Sequence, residues 1–370
     1  MRAWNTPITQ QMPDPTKAKD IAKRVLRYYR KSRRDLPWRE RGDAYGVWIS
    51  EIMLQQTRVA AVIPYYERWL RSFPTIEALA QADLDEVLAH WSGLGYYSRA
   101  RNIHSCAKEV QANYAGHLPR TAKELRSLPG IGRYTAGAVS SIAYKQHEAL
   151  VDGNVARVIS RVFAIEDNIK STAGVKEQWR ICEALVPKSS PGDFNQGLME
   201  IGAMLCKPKN PNCEQCPLKE PCRAFNEGRI DELPVVSKRK TASEKPLLAL
   251  EAGYLERGGK LLLGHRKAEG LFGGLWELPS ADSRDLLASL TGLELNFHGK
   301  EASIEHQQVL SHRRLRIRVW PAEVSGRTKL AADSPYQRLS WLRLAEIPSI
   351  GISTATRSIL ERRSEIQHER

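Results

Sequence analysis

Leu128-Pro129-Gly130-Ile131-Gly132-Arg133-Tyr134 is the stretch on which the reading of the fold turns. Two glycines let a backbone turn tightly and approach a phosphate closely, and a helix that starts straight after them offers unpaired N–H groups. The apolar pattern over Tyr134–Ala143 predicts that helix, and a second pattern over Ala122–Leu128 predicts one before the turn. Together they make a helix-hairpin-helix, a device that grips phosphate without reading sequence. A plain interhelical turn would carry the same residues, so the segments on either side have to be weighed with it.

Upstream, helical spacing recurs at Ile21, Val25, Leu26 and Tyr29, and again at Trp48, Ile49, Ile52 and Met53, a stretch that Pro64 is expected to close. Further helices are expected over Leu84–Trp91, Ala100–Val110 and Val155–Phe163, so residues 1–225 read as one helical domain. Residues 226–245, with Gly228, Pro234 and the run Lys238-Arg239-Lys240, have the composition of a linker. Residues 246–370 change character. Leu247–Leu255 and Lys260–His265 flank Gly258-Gly259 as a hairpin. Leu315, Ile317 and Val319 alternate with Arg316 and Arg318 as a strand with a basic outer face. Helical patches at Ser283–Leu290 and Thr354–Arg362 complete an α+β domain. The fold class expected is therefore multi-domain, an all-α helix-hairpin-helix core followed by an α+β domain.

The chain of 370 residues carries 56 Lys and Arg against 42 Asp and Glu, a net charge of +14. Residues 1–228 hold 33 basic and 24 acidic side chains and residues 229–370 hold 23 and 18, so both halves are basic. An evenly basic chain favours a polyanionic partner, nucleic acid above all. No run of eighteen apolar residues exists, which leaves no transmembrane helix, and Met1–Lys17 lacks the apolar core of a signal peptide. A cytoplasmic, nucleoid-associated protein that does not engage a membrane is expected.

Four cysteines fall within seventeen residues as Cys206-x6-Cys213-x2-Cys216-x5-Cys222. Four thiolates at short range can ligate one metal centre; a single CxxC in a compact asymmetric loop suits a four-iron cluster better than the paired knuckles of zinc sites. Lys207, Lys209 and Lys219 lie in and beside the loops between the ligands, where a pinned loop could press cations onto phosphates. Two carboxylates stand out. Glu51 lies among apolar neighbours, which raise a carboxyl pKa and make a proton donor. Asp152, in Val151-Asp152-Gly153-Asn154, either caps the helix that follows or faces a cation forming on a sugar. Gln55-Gln56 and Gly93-Leu94-Gly95-Tyr96-Tyr97 offer flat side chains at turns, suited to entering stacked bases or to ordinary packing.

Taken in order, Glu51 with Leu54-Gln55-Gln56-Thr57, the hairpin, Asp152-Gly153-Asn154 and the four-cysteine loop resemble the endonuclease III superfamily of DNA glycosylases. Asp35-Leu36-Pro37-Trp38-Arg39, Gly93–Tyr97 and the added C-terminal domain resemble the MutY-type adenine DNA glycosylases within it. The resemblance implies a monofunctional enzyme of base excision repair, acting on adenine opposite 8-oxoguanine or guanine in duplex DNA. The adenosine is rotated out of the helix. Glu51 protonates adenine N7, Asp152 stabilises the oxocarbenium-like sugar, and Asn154 and Tyr134 orient water or Asp152. Bifunctional relatives carry Lys where Tyr134 stands, and a phenol forms no Schiff base.

The same resemblance implies a 4Fe-4S cluster on Cys206, Cys213, Cys216 and Cys222, and DNA or lesion contacts at Arg39, Gln56, Leu94, Tyr96, Gly130 and Gly132. It also implies a monomer, with a sliding clamp or mismatch-repair protein as a possible partner. The C-terminal domain resembles a Nudix fold, Gly273-Gly274-Leu275-Trp276-Glu277-Leu278-Pro279 being similar to the start of a Nudix box. No acidic run follows to hold magnesium, which argues for a lesion reader over a hydrolase. Leu310-Ser311-His312 stands where family members present Phe-Ser-His, so Ser311 and His312 are the expected lesion contacts. Two other readings are a pyrimidine glycosylase-lyase of the endonuclease III type and a non-catalytic iron-sulfur DNA-binding protein. The first is disfavoured by Tyr134, the second by the presence of both carboxylates.

Overall fold

The computed structural model describes residues 13–237, 241–299 and 301–368. The run Lys238-Arg239-Lys240 and most of the Met1–Lys17 segment lie outside the described residues. The chain divides into two compact units, Met1–Glu77 with Cys106–Lys238 and Ala78–Ser105 with Arg239–Arg370.

The helices, in chain order, are α1 Pro15–Ser32, α2 Pro37–Arg41, α3 Ala44–Met53, α4 Val59–Ser72, α5 Ile76–Gln81, α6 Leu84–Trp91, α7 Ser98–Asn113, α8 Ala122–Leu125, α9 Arg133–Ala138, α10 Gly153–Phe163, α11 Thr172–Leu185, α12 Pro191–Met204 and α13 Arg223–Asn226. In the first unit α3 is buried on every side, from Tyr45 to Met53; such a helix belongs at the centre of a core. Asp43 caps its start by accepting from the Gly46 N–H at 2.8 Å. The helix stops at Met53, and Gln56 turns the chain with a left-handed φ of 61°. Pro64 does not close this stretch, as expected from sequence, but sits inside α4. Pro64 and Ala60, whose carbonyl loses its helical donor there, are both exposed, where solvent can reach that carbonyl.

The helix expected over Ala122–Leu128 is a single turn, α8, capped by Thr121 and ended by successive turns through Leu128. α9 runs on into a π-helical turn at Val139–Ala143. α1 lies along α12 at Gly197, where a Cβ would meet a Val25 methyl at 2.7 Å; only glycine permits that approach.

The second unit is built on a mixed sheet. Its strands are β1 Leu247–Arg257, β2 Lys260–Arg266, β3 Trp276–Glu277, β4 Ser280–Ala281, β5 Glu294–Phe297, β6 Ile304–Val309, β7 Arg314–Ser325 and β8 Tyr336–Arg343. β1 and β2 form the expected hairpin, Arg257 opposite Lys260, with Gly258 and Gly259 at φ 58° and 70°. Two central residues of positive φ are what a two-residue hairpin turn demands. β1 pairs parallel with β7 over nine positions, from Leu247↔Arg314 to Leu255↔Ala322. Leu315, Ile317 and Val319 of β7 face a core with Tyr254, Leu261, Leu263 and Trp276, closed by α15 Thr354–His368. A short helix, α14 Leu286–Thr291, precedes β5. Residues 78–105 join this unit through side-chain contacts: Tyr97 Oη donates to the Ile352 carbonyl at 2.8 Å, and Trp276 Nε1 to Asp85 at 3.4 Å.

Candidate active site

The hairpin delivers the first residues of the site. Gly130 has φ 73°, the left-handed turn that opens the loop. Nothing lies within 4 Å of where a Gly132 Cβ would be, so the backbone at the start of α9 faces open space. Two residues later, on that helix, Tyr134 points inward, and its hydroxyl donates to Oε2 of Glu51 and approaches Met199 Sδ at 3.5 Å. α3 holds Glu51 only 5% exposed. Burial pushes its carboxyl pKa from 4.5 up to about 7, the Asp152 charge adds to the rise, and the Tyr134 hydroxyl and the Arg39 charge pull against it.

Asp152 is both the cap and the second acid. Its Oδ1 accepts from the Val155 N–H at 2.7 Å and its Oδ2 from Asn154 Nδ2 at 2.9 Å. Burial raises its pKa too, but these donors favour the charged form and work against the rise. Asn154 Oδ1 accepts from Arg157 Nη2 at 2.9 Å, and that guanidinium also donates to the carbonyls of Cys206 and Gly202. The four residues expected at the reaction centre, Glu51, Tyr134, Asp152 and Asn154, are thus joined by hydrogen bonds or direct electrostatic influence. A carboxyl with a pKa near 7 beside a carboxylate whose charged form accepts two hydrogen bonds has the makings of a proton donor paired with a partner for a developing cation.

One participant was not read from the sequence. Glu200 on α12 is fully buried and accepts from Arg34 Nε at 2.7 Å, Arg34 Nη2 at 3.0 Å and Arg39 Nη2 at 2.8 Å. These donors hold its pKa below the ordinary value in spite of burial. Arg39, expected at the DNA, spends its guanidinium on Glu200 and the Arg34 carbonyl, and reaches Glu51 through its charge. A lone carboxylate between Leu198 and Ile201 was the available signal, the same one that singled out Glu51.

Comparison with known proteins places this geometry. Residues 49–184 match the family of HhH-GPD superfamily base excision DNA repair proteins, and residues 251–362 match the NUDIX domain. The human adenine DNA glycosylase is 37% identical over 90% of this chain and 72% of its own length. The rat adenine DNA glycosylase is 36% identical over 90% and 76%. The chain belongs to the adenine DNA glycosylase family. A solved structure of a thermostable thymine-DNA glycosylase, 31% identical, superposes with a TM-score of 0.52 over 57% of this chain and 98% of that one.

The other residues that family membership brings into view lie in both units. In the first, Gln56 is exposed on its left-handed turn. In the second, Tyr96 is 44% exposed, has φ 50°, and shares a hydrogen bond with the Ser311 hydroxyl. Its φ lies in the left-handed region that favours glycine. Leu94 is buried. Ser311 and His312 are exposed between β6 and β7, whereas Leu310 is partly buried against the core of its unit. The four clustered cysteines line one cavity with Arg161, whose Nη1 lies 3.4 Å from Cys206 Sγ. Burial pushes the Cys216 thiol up to about 12, and charge on Cys206, Cys222 and Cys213 would raise it further, so the four sulfurs are near neighbours. Among the described residues no three His, Cys, Asp or Glu side chains form a ligand set for a single metal ion. No described helix is long and apolar enough to cross a membrane.

Proposed function

We propose that this member of the family removes adenine mispaired with 8-oxoguanine from duplex DNA by hydrolysis. The observation that carries the reading is the Glu51 carboxyl, buried, half-protonated near neutral pH and electrostatically coupled to Asp152. With the adenosine extruded, the protonated Glu51 gives its proton to adenine N7. The bond between N9 and the sugar then breaks, adenine leaves neutral, and positive charge grows on the sugar. Asp152, whose charged form accepts hydrogen bonds from Val155 and Asn154, faces that charge. Water adds to the sugar, and its surplus proton passes to the Glu51 carboxylate, which restores the acid. Proton donation of this kind contributes roughly 10²–10⁴-fold in rate. Tyr134 holds the acid in place and supplies no amine, so the strand is left uncut.

Cys206, Cys213, Cys216 and Cys222 would hold a 4Fe-4S cluster. Four cysteines lining one cavity are the donor set such a cluster takes. It would fix the loop that carries Lys207, Lys209 and Lys219 and take no part in the bond-breaking step. The Nudix-like domain would read the lesion strand through Ser311 and His312. Its Glu277 is engaged by Arg266 and the Tyr336 and Ser280 hydroxyls, and no acidic run follows it to hold magnesium. Gln56 and Tyr96 would occupy the stack beside the lesion, Leu94 would shape the Tyr96 turn from beneath, and Gly130 and Gly132 would meet backbone phosphate.

The test is a duplex with a single adenine opposite 8-oxoguanine. Free adenine with an intact strand, and visible cluster absorption in the purified protein that Cys213→Ala diminishes, are the expected results. Strand scission without added alkali, or release of an oxidised pyrimidine instead, would overturn the reading.

A further inference from the structure

β7 carries a row of arginines whose neighbours change along its length. Arg314, Arg316 and Arg318 share the face opposite the buried Leu315, Ile317 and Val319, each about 7 Å from the next by strand geometry. Arg318 is flanked across the sheet by Glu251 on β1 and Glu305 on β6, and it pairs with Glu251. Arg316 is flanked by Ala249 and Gln307, and Arg314 by Leu247 and Val309. The unbalanced charge is therefore confined to the end of the sheet that holds the Ser311–His312 loop.

That loop is built directly on cations. Lys245 Nζ donates to the Leu310 carbonyl at 2.9 Å, Arg314 Nε donates to the Lys245 carbonyl at 3.2 Å, and the Leu310 N–H donates to the Arg313 carbonyl at 2.8 Å. The Nε atoms of Arg313 and Arg316 are buried without a hydrogen-bond partner, and among the described residues neither side chain has an ion pair. Like charges set this close repel one another unless an anion from outside joins them. The row that could have ended on glutamates, as at Arg318, is left open beside the loop.

We propose that Arg314 and Arg316, with Lys245 and Arg313 at the loop base, form a phosphate-binding track that seats the DNA backbone next to the base met by Ser311 and His312. The track rests on the reading of this domain as a DNA-facing reader. It also bears on Leu310: that side chain is partly buried against the core of its unit, and cations gripping the DNA backbone would offset the aromatic contact it does not make. Phosphate contacts carry no sequence information, so the track strengthens binding to lesion and undamaged duplex alike.

The experiment compares the full-length holoprotein with R314Q/R316Q, binding an A:8-oxoguanine duplex between 50 and 200 mM salt. Two lost phosphate contacts lower the salt slope by about 1.8, so the wild type loses roughly twelvefold more affinity across that range than the variant does. R314K/R316K keeps the wild-type slope, as does R343Q, which alters an exposed arginine at the far end of β8. The single-turnover rate of base release at saturating enzyme is unchanged in R343Q. A wild-type slope in R314Q/R316Q, with normal folding by circular dichroism, would overturn the track while leaving the glycosylase intact. Failure of the wild type to release adenine would instead sink the activity on which the track depends.

Discussion

Glu51→Gln should stabilise the protein while abolishing its chemistry, and the gain should depend on pH. The carboxyl has an ordinary pKa of 4.5 and one near 7 in the folded chain. Below pH 4.5 it is neutral whether the chain is folded or not, and burial costs little. Between pH 4.5 and 7 the unfolded chain ionises Glu51 and the folded chain does not, so stability falls as pH rises through that window. Above pH 7 the full cost is present. At 1.36 kcal/mol per pKa unit, a rise from 4.5 to about 7 is about 3 kcal/mol. Glutamine is neutral throughout, nearly isosteric, and its Oε1 still accepts from the Tyr134 hydroxyl, so the variant escapes the cost. In a domain of this size the gain corresponds to a Tm higher by roughly 6–12 °C at pH 8, shrinking toward nothing at pH 5. Thermal melts of both proteins at pH 5, 6.5 and 8 measure it. A variant no more stable than wild type at pH 8, or more stable by the same margin at every pH, would refute the raised pKa and with it the acid assigned to base release.

Other substitutions separate position from chemistry. Asp152→Asn keeps the cap, since asparagine caps a helix about as well as aspartate. Base release should fall roughly 10²-fold or more with DNA binding intact, as single-turnover kinetics and gel shifts would show. Tyr134→Phe removes the donor that favours ionised Glu51, so the alkaline limb of the rate profile should move to higher pH; a move to lower pH would contradict the hydrogen bond. Gly202→Ala places a Cβ 2.6 Å from the Asn154 Cβ and 3.0 Å from its carbonyl. Cores crowded in this way lose about 1–3 kcal/mol, and here base release should slow as well, because Asn154 orients Asp152.

The periodicity of the chain revealed most of the helices because their buried faces are long. Val155, Val158, Ile159 and Val162 on α10 are buried as their spacing requires. Where a rule failed, local context overrode it. Pro64 continues α4 since the residue whose carbonyl it orphans is exposed, and Ala122–Leu128 yields one turn because the chain must bend at once into the hairpin. Glu51 was legible from its apolar neighbours, but its link to Tyr134 spans 83 positions and no local pattern encodes it. Glu200 went unread although it too is a carboxylate in an apolar helix, since its partners Arg34 and Arg39 lie over 160 positions away. The placement of residues 78–105 with the sheet unit was equally hidden. It rests on hydrogen bonds such as Tyr97 to Ile352, made to backbone carbonyls that leave no trace in side-chain type.

The claim beneath all of this is that one acid is protonated and its neighbour is not at the pH where the enzyme works. The pH dependence of adenine release in a single turnover, with enzyme saturating over an A:8-oxoguanine duplex, tests it most directly. The account predicts a rate that falls tenfold per pH unit above about pH 7 as Glu51 loses its proton. A rate that stays level from pH 6 to pH 9 would contradict it.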